Sequence, residues 1–426
     1  MARQMKDSGI AWIGEIPEIW STDRLQWHLK EVNVSNFPVQ TENILSLTIE
    51  AGVIPYEEKG NQGNKSKENY EEYKLAYPDT LVVNSMNVII GAVGISKYFG
   101  CVSPVYYVFK ATKGTDLRYI YYLFTNVGFQ KEMRKHAKGI LEIRLRISSG
   151  DMQKLSVPNP EYPEQRRIAD FLDRRCAEID AVIERTKATI EEYKKLKQAV
   201  ITEAVTKGVR GLRPMKDSGI EWIGEIPEGW EVSRVKYVSD FEPSSRRDDL
   251  SDESIITYTP MDCIKNGWFI NNTAPLGSVS SSLTAYQEGD IVLAKVTPCF
   301  ENGNIAIMKG LASGFGLGSS ELFVIRAESI DTKYMFYWLR NEGFMQRACA
   351  TMTGTGGLKR VSPAFVKDCF IHMPPATEQA EIVAYLDEKC AALDTLIAKK
   401  TALLTELEAY KKSLIYEYVT GKREVQ

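Results

Sequence analysis

Two short basic tracts hold most of the side chains in this chain that could do chemistry, and the chemistry they suit is contact with a polyanion. Residues 131–146 carry Lys131, Arg134, Lys135, Lys138, Arg144 and Arg146 against Glu132 and Glu142. A matching stretch later in the chain carries Arg340, Arg347, Lys359 and Arg360 against Glu342. Arg146 and Arg360 occupy matching places, as Arg146-Ile-Ser and Arg360-Val-Ser. The run 353–357 (TGTGG) has the glycines that let a backbone approach a phosphate, and the cations beside it would hold the phosphate there. Lys295, Thr297 and Asn304 fall in KVTPCFENGN, and Arg246 and Arg247 in a polar loop. Arginine on guanine and asparagine on adenine are the pairings that read bases in a major groove. The candidate DNA contacts are therefore Lys138, Arg144, Arg146, Arg246, Arg247, Lys295, Thr297, Asn304, Lys359 and Arg360. For any one of them a solvated charged face is the plainer reading, and recurrence in both halves favours the functional one.

The chain as a whole pulls the other way. Its formal net charge is −3 and its pI about 5.9, whereas a stand-alone nucleic-acid binder is usually basic. Contact with DNA must then rest on local patches or on partners that share it.

Catalytic signatures are missing. GTGGLK has glycines but not the GK-S/T ending of a phosphate loop. GFGLG (314–318) leads into the strand-like ELFVIR, whereas a dinucleotide or methyl-donor loop follows a strand and opens a helix, so it reads as a flexible β-connection. Asn159-Pro160-Glu161-Tyr162 only echoes the Asn-Pro-Pro-aromatic tetrapeptide of amino-methyltransferases and reads as a linker. No nucleophile–base constellation stands out, so no active site, catalytic residue or cofactor of the chain's own is expected. Seven scattered cysteines without a C-x-x-C pair suggest reduced thiols, and three histidines away from them offer no zinc set. The start MARQMKDSG has no apolar signal region, and no stretch reaches the ~18 apolar residues of a membrane span, so a cytoplasmic protein is expected.

The elements that must position these residues come in duplicate. MKDSGIAWIGEIPEIW begins at Met5 and MKDSGIEWIGEIPEGW at Met215, differing only at Ala11/Glu221 and Ile19/Gly229. EQRRIADFLDRRCAEIDAVI begins at Glu164 and EQAEIVAYLDEKCAALDTLI at Glu378. The period is too long for a solenoid, so each half holds a whole domain. After Pro158, Pro160 and Pro163, apolar residues recur at Ile168, Leu172, Cys176, Ile179, Ile183, Ile190, Tyr193 and Val200, which predicts one helix to Lys207 with Pro163 in its first turn and Gly208 beyond its end. After Pro374 and Pro375, with Thr377 as N-cap, a second helix runs to Thr420 with Leu386, Cys390, Leu393, Ile397, Leu404, Leu407 and Leu414 on its seam. Each is a rod of about 65 Å. Their apolar stripes need partners, and an antiparallel coiled coil with a globular domain near each end is the pairing that pseudo-two-fold symmetry predicts.

The globular parts read as β-rich, with strands at 43–49, 80–84, 105–110, 254–258, 291–295 and 321–326, a helix at 119–124, and a polar surface loop at 57–69. DIVLAK (290–295) matches DTLVVN (79–84), and YMFYWLRNEGF (334–344) matches YIYYLFTNVGF (119–129). The expected class is α+β: two globular domains of mixed content, 23–158 and 232–374, two long helices at 159–213 and 375–426, and repeat segments at 1–22 and 214–231 joining them.

The doubled SGI-x-WIGEIP-E-x-W segment, TPCFENGNIA and the P-x-x-EQ-x-x-I-x-x-(F/Y)LD helix starts together resemble the specificity subunit of type I restriction–modification systems, over essentially the whole chain. The resemblance implies that each recognition domain reads one half of a split double-stranded DNA site. It also implies that the helices set the spacer and dock two modification subunits, which carry S-adenosylmethionine and methylate adenine. A restriction subunit using ATP and magnesium can join. The chain itself would be a non-catalytic subunit binding no cofactor. The alternative is a coiled-coil scaffold without DNA specificity. If the helices act as a ruler, inserting one heptad should change the unspecified spacer of the methylated site and leave both read halves intact. Sequencing of methylated sites checks this, and an unchanged spacer would remove the ruler.

Overall fold

The computed structural model describes residues 3–60, 69–139, 145–245, 249–280, 282–355 and 357–425. The chain divides into two compact units, Met1–Lys187 with Ala402–Gln426, and Ala188–Thr401. The division falls within both long helices, Tyr162–Lys207 and Ala376–Val419. Each unit therefore holds one globular domain, one half of its own long helix and one half of the other.

In the first unit an antiparallel sheet runs in the order Leu29–Glu31, Tyr106–Ala111, Leu81–Asn84, Val93–Ile95. Alternation along the strands serves two cores. Leu81, Val83 and Phe109 face the short helices, while Val82 and Val108 face Leu45, Leu47 and Val53 on the other side. The second unit repeats this with Ser239–Phe241, Leu322–Ala327, Ile291–Ala294 and Ile305–Ile307. Ile291, Leu293, Phe323 and Ile325 face one core, and Val292, Ala294, Leu322 and Val324 the other.

The backbone corrects the sequence match between these strands by one residue. Asp79 (φ 59°) corresponds to Gly289 (φ 87°), because both take the left-handed turn and both donate to the returning strand, Asp79 N–H to Ser96 O at 2.9 Å and Gly289 N–H to Met308 O at 2.7 Å. Leu81 thus pairs with Ile291; a one-residue slip would turn every side chain to the wrong core.

GFGLG is not a flexible connection. Phe315–Gly318 is a fully buried strand in a sheet of order Asn272–Pro275, Ile255–Thr259, Phe315–Gly318, Thr284–Gln287, in which the middle pair is parallel. The glycine at 316 is there for packing, since a Cβ would lie 2.2 Å from the Tyr286 ring. The first unit has smaller pairs in its place, Leu45–Thr48 with Gly52–Pro55 and Lys74–Ala76 with Gly100–Val102. Residues 61–68, most of the expected 57–69 loop, lie outside the described residues. Asn159 belongs to the strand Ser156–Asn159, paired with Ser21–Arg24, rather than to a linker.

The duplicated segments are hairpins that seat the long helices. Trp20 Nε1–H donates to Glu164 at 2.9 Å, Arg3 pairs with the same carboxylate, and the Arg3 guanidinium lies 5.4 Å from the Trp20 ring centroid. In the second unit Arg213 pairs with Glu378 at 2.5 Å and lies 5.3 Å from the Trp230 ring. The next helix residue is a buried glutamine in both. Gln165 accepts the Asp116 N–H at 3.0 Å and donates to Pro160 O at 2.8 Å; Gln379 accepts the Asp331 N–H at 2.8 Å and donates to Pro374 O at 2.9 Å. Asp116 and Asp331 are the N-caps of Leu117–Thr125 and Thr332–Trp338, so one side chain ties each long helix to the first short helix of its domain. Thr377 is not a cap: the helix starts at Ala376, and Pro375 O accepts the first amides.

Within the first unit the two helix segments meet through Phe171 and Tyr418 (centroids 4.4 Å apart) and through Lys411 and Asp180 at 2.6 Å. Within the second they meet through Lys197 and Asp394 at 2.6 Å, while Arg210, just past the end of the first helix, pairs with Glu381 at 2.7 Å. In both, residue numbers rise along one helix as they fall along the other, which is antiparallel pairing. Of the expected seam, Ile168 to Ile190, Leu386 to Leu393 and Leu414 are buried. Tyr193, Val200, Ile397, Leu404 and Leu407 are half-buried. Ile201, Val205, Ile382 and Val419 are also buried, where each helix end meets a domain.

Gln379→Ala would leave the Pro374 carbonyl unpaired in the interior and take the partner from the part-buried Asp331 N–H. We expect a loss of about 1–3 kcal/mol for each buried group so exposed, seen in urea unfolding and in faster exchange of the Asp331 amide. A loss below about 0.5 kcal/mol, the level of an ordinary surface change, would show that the glutamine is not the tie.

Candidate nucleic-acid interface

Both domains build the same device from the same elements. A pair of short helices, Leu117–Thr125 and Val127–His136 in one domain and Thr332–Trp338 and Glu342–Ala350 in the other, turns at an asparagine N-cap, Asn126 or Asn341. Shortly after it one antiparallel bridge joins two nearby stretches of the chain; in the first domain residues 140–144, between its ends, lie outside the described residues. Lys138 and Arg146 exchange backbone bonds of 2.8 and 2.9 Å; Thr353 and Arg360 exchange bonds of 3.1 and 2.8 Å. The following residue then docks on the sheet, Ile147 N–H on Ser85 O at 3.1 Å and Val361 N–H on Lys295 O at 2.9 Å. Arg146 and Arg360 thus occupy one backbone station in two domains.

Around that station the domains diverge. Lys138 and Arg146 are exposed side by side across the bridge. Arg144 lies outside the described residues, as do Arg246 and Arg247. In the second domain Ser85 is replaced by Lys295, and Val105, which precedes the strand Tyr106–Ala111, is replaced by Glu321. Arg360 donates to Glu321 from Nε at 2.8 Å and from Nη2 at 2.7 Å. That paired guanidinium, with Lys295 adding to it, holds the Glu321 carboxyl below the usual range. The pair therefore stays charged through neutral pH and is lost only as pH falls through this lowered value. Lys295 is half-buried, its ammonium 5.5 Å from the Phe323 ring centroid. Lys359 is exposed beside Arg360.

Thr297 and Asn304 hold the structure together more than they face solvent. Thr297 is 8% exposed; its hydroxyl donates to Gly357 O at 2.9 Å and accepts the Lys359 N–H at 2.9 Å. It is the floor of the loop. Asn304 closes the tight turn between strands, its N–H on Cys299 O at 3.1 Å and its carbonyl accepting from Ala294 at 3.0 Å. Gly354 serves the loop's own backbone, since a Cβ there would meet Leu358 O at 2.2 Å. Arg340, counted with the second basic tract, is 8% exposed, lies 4.9 Å from the Phe336 ring and donates to Asn266 at 2.6 Å, so it is an internal brace. Glu321 carries the opposite charge to a DNA contact, and its signal in the sequence is its place at the head of a strand, which pairs it with Lys295 across the sheet.

Among the described residues no group of histidine, cysteine and carboxylate side chains could hold a metal, and no helix is long and apolar enough to cross a membrane. The arrangement presents exposed cations at one station in each domain, and Glu321 holds the one at Arg360. The family model described as the type I restriction modification DNA specificity domain matches residues 33–192 and 227–408. The chain is 34% identical to the EcoEI specificity subunit of Escherichia coli over 218 residues, half of this chain and 36% of that protein. It is 24% identical to the putative MjaX specificity subunit of Methanocaldococcus jannaschii over 97% of this chain and 96% of that one. The chain spans about a third of the E. coli relatives EcoEI and EcoAI, 36% and 32% of their lengths. A chain from a solved structure, described as the basis of complex assembly and conformational transition of the type I R-M system, superposes with a TM-score of 0.69 at 14% identity, covering 96% of this chain and 99% of that one, so it shares the fold.

Thr297→Val keeps the shape and removes both hydroxyl bonds under the loop. We expect a cost of about 0.5–1.5 kcal/mol and faster amide exchange at Lys359, with the core strands unchanged. Unaltered exchange there would mean that the hydroxyl does not anchor the loop.

Proposed function

This chain belongs to the family defined by the type I restriction modification DNA specificity domain, of which it carries two, and from that premise we propose that each domain reads one half of a split DNA site on behalf of a modification complex. The observation that carries the reading is the shared station of Arg146 and Arg360, a cation on a braced loop with different neighbours in each domain. A common scaffold with divergent edges suits two different half-sites. Lys138, Arg144, Arg146, Lys295, Lys359 and Arg360 are the proposed DNA contacts, with Arg246 and Arg247 reaching phosphate from their loop. Thr297 and Asn304 position their neighbours.

The long helices dock two adenine-methyltransferase subunits in this reading. Those subunits bring S-adenosylmethionine, and a restriction subunit would bring ATP and magnesium; this chain supplies recognition and no catalytic group. The negative net charge fits, because partners would share the phosphate contacts. The setting is cytoplasmic, where the seven cysteines stay reduced.

The test is a map of N6-methyladenine in cells expressing this chain with its neighbouring modification subunit, against cells lacking the chain. We expect a new split motif methylated in both halves. A stable complex that adds no methylation would return the chain to the scaffold alternative.

A further inference from the structure

We propose that Glu321 is a specificity-determining residue of the second domain: it holds Arg360 so that the free nitrogens of the guanidinium read one guanine of that domain's half-site. The inference rests on the reading that this domain contacts DNA, and it goes further by naming a base and the residue that presents the reader.

The geometry leaves a defined set of donors. A guanidinium has five N–H groups. Glu321 takes one on Nε and one on Nη2, at 2.8 and 2.7 Å. Two on Nη1 and one on Nη2 remain, on the edge away from the carboxylate. Those are the donors that guanine O6 and N7 accept as a pair.

Both ends of the ion pair are fixed to the scaffold. The Arg360 backbone is bonded twice to Thr353, and Val361 is docked on Lys295. Glu321 accepts the Lys295 N–H through its own carbonyl at 3.0 Å, immediately before the strand Leu322–Ala327. A guanidinium held in this way loses little side-chain freedom on binding. The carboxylate also argues for a base over a phosphate: Glu321 cancels the net charge that a phosphate contact would use, and it repels a phosphate oxygen brought close. In the first domain Val105 stands at this station, so Arg146 has no carboxylate there to orient it.

The experiment uses the full chain assembled with its modification subunit. Methylation is scored on a DNA library randomised in both half-sites, for the wild type, Glu321→Gln, Arg360→Ala and the double variant. Glu321→Gln keeps the size and polarity of the side chain, and discrimination in the first half-site reports that the complex is intact. We expect both single variants to lose about tenfold or more of the preference for guanine at one and the same position of the second half-site. The double variant should be no worse than Arg360→Ala, and the first half-site should be read as before. Unchanged guanine preference in Glu321→Gln, with a loss in Arg360→Ala, would overturn the role of Glu321. A rise in activity on all sequences alike would make Glu321 a brake on a phosphate contact, which also overturns it. A wild-type complex that prefers no sequence in the second half-site would instead defeat the reading on which the inference rests.

Discussion

The buried Glu–Gln pair at the head of each long helix is the constraint on which the rest depends. A carboxylate and an amide are costly to bury unless every polar atom finds a partner. Glu164 accepts from Trp20 Nε1–H and pairs with Arg3, which stacks on that indole, while Glu378 is held by its ion pair with Arg213, which stacks on Trp230. Gln165 and Gln379 find theirs in the N-cap of a short helix on one side and a proline carbonyl on the other. Tyr119 and Tyr334 complete the junction by donating to Val419 O at 2.9 Å and Val205 O at 3.3 Å, the last turns of the helices that end there. Burial pushes both phenols well above their ordinary range, so they remain donors. The repeat segments supply the tryptophan of each junction, Trp20 and Trp230. Trp12 and Trp222 lie against Gly128 and Gly343, where a Cβ would stand 2.5 and 3.3 Å from the indole rings.

With that junction set, variation moves to the edges. The sheet strands keep the same alternation and the same two-core arrangement in both units, while the side chains at the loop station change from Ser85 and Val105 to Lys295 and Glu321. These positions tolerate change because they lie at strand ends and carry little of the core. The loop itself is held by backbone bonds, so its orientation does not depend on which cation it displays. A recognition scaffold needs that separation, with rigid support beneath and free choice above.

Much of the architecture was legible in the sequence. The internal repeat, both long helices, their seams and the short strands follow from spacing, because burial enforces a period of 3.6 or 2 on apolar residues wherever a face is covered. Arg146 and Arg360 were legible as a matched pair because the triplets Arg146-Ile-Ser and Arg360-Val-Ser recur in the two halves. What spacing could not show is which polar residue spends its bonds inside the fold. Thr297, Gly354 and Arg340 have the composition of contact residues, and the structure uses them as floor, close backbone crossing and brace. Glu321 has the wrong sign for a DNA contact and lies 39 residues from its partner, so no local pattern joins the two. Side-chain roles of this kind are decided by long-range neighbours, and those exist only once the strands are paired in register. The sequence by itself determined that there are two domains, which helices they rest on and where the cations fall along the chain. Only the tertiary structure decided which of those cations are held, by what, and at which edge, since a hydrogen bond is set by distance and direction in space rather than by separation along the chain.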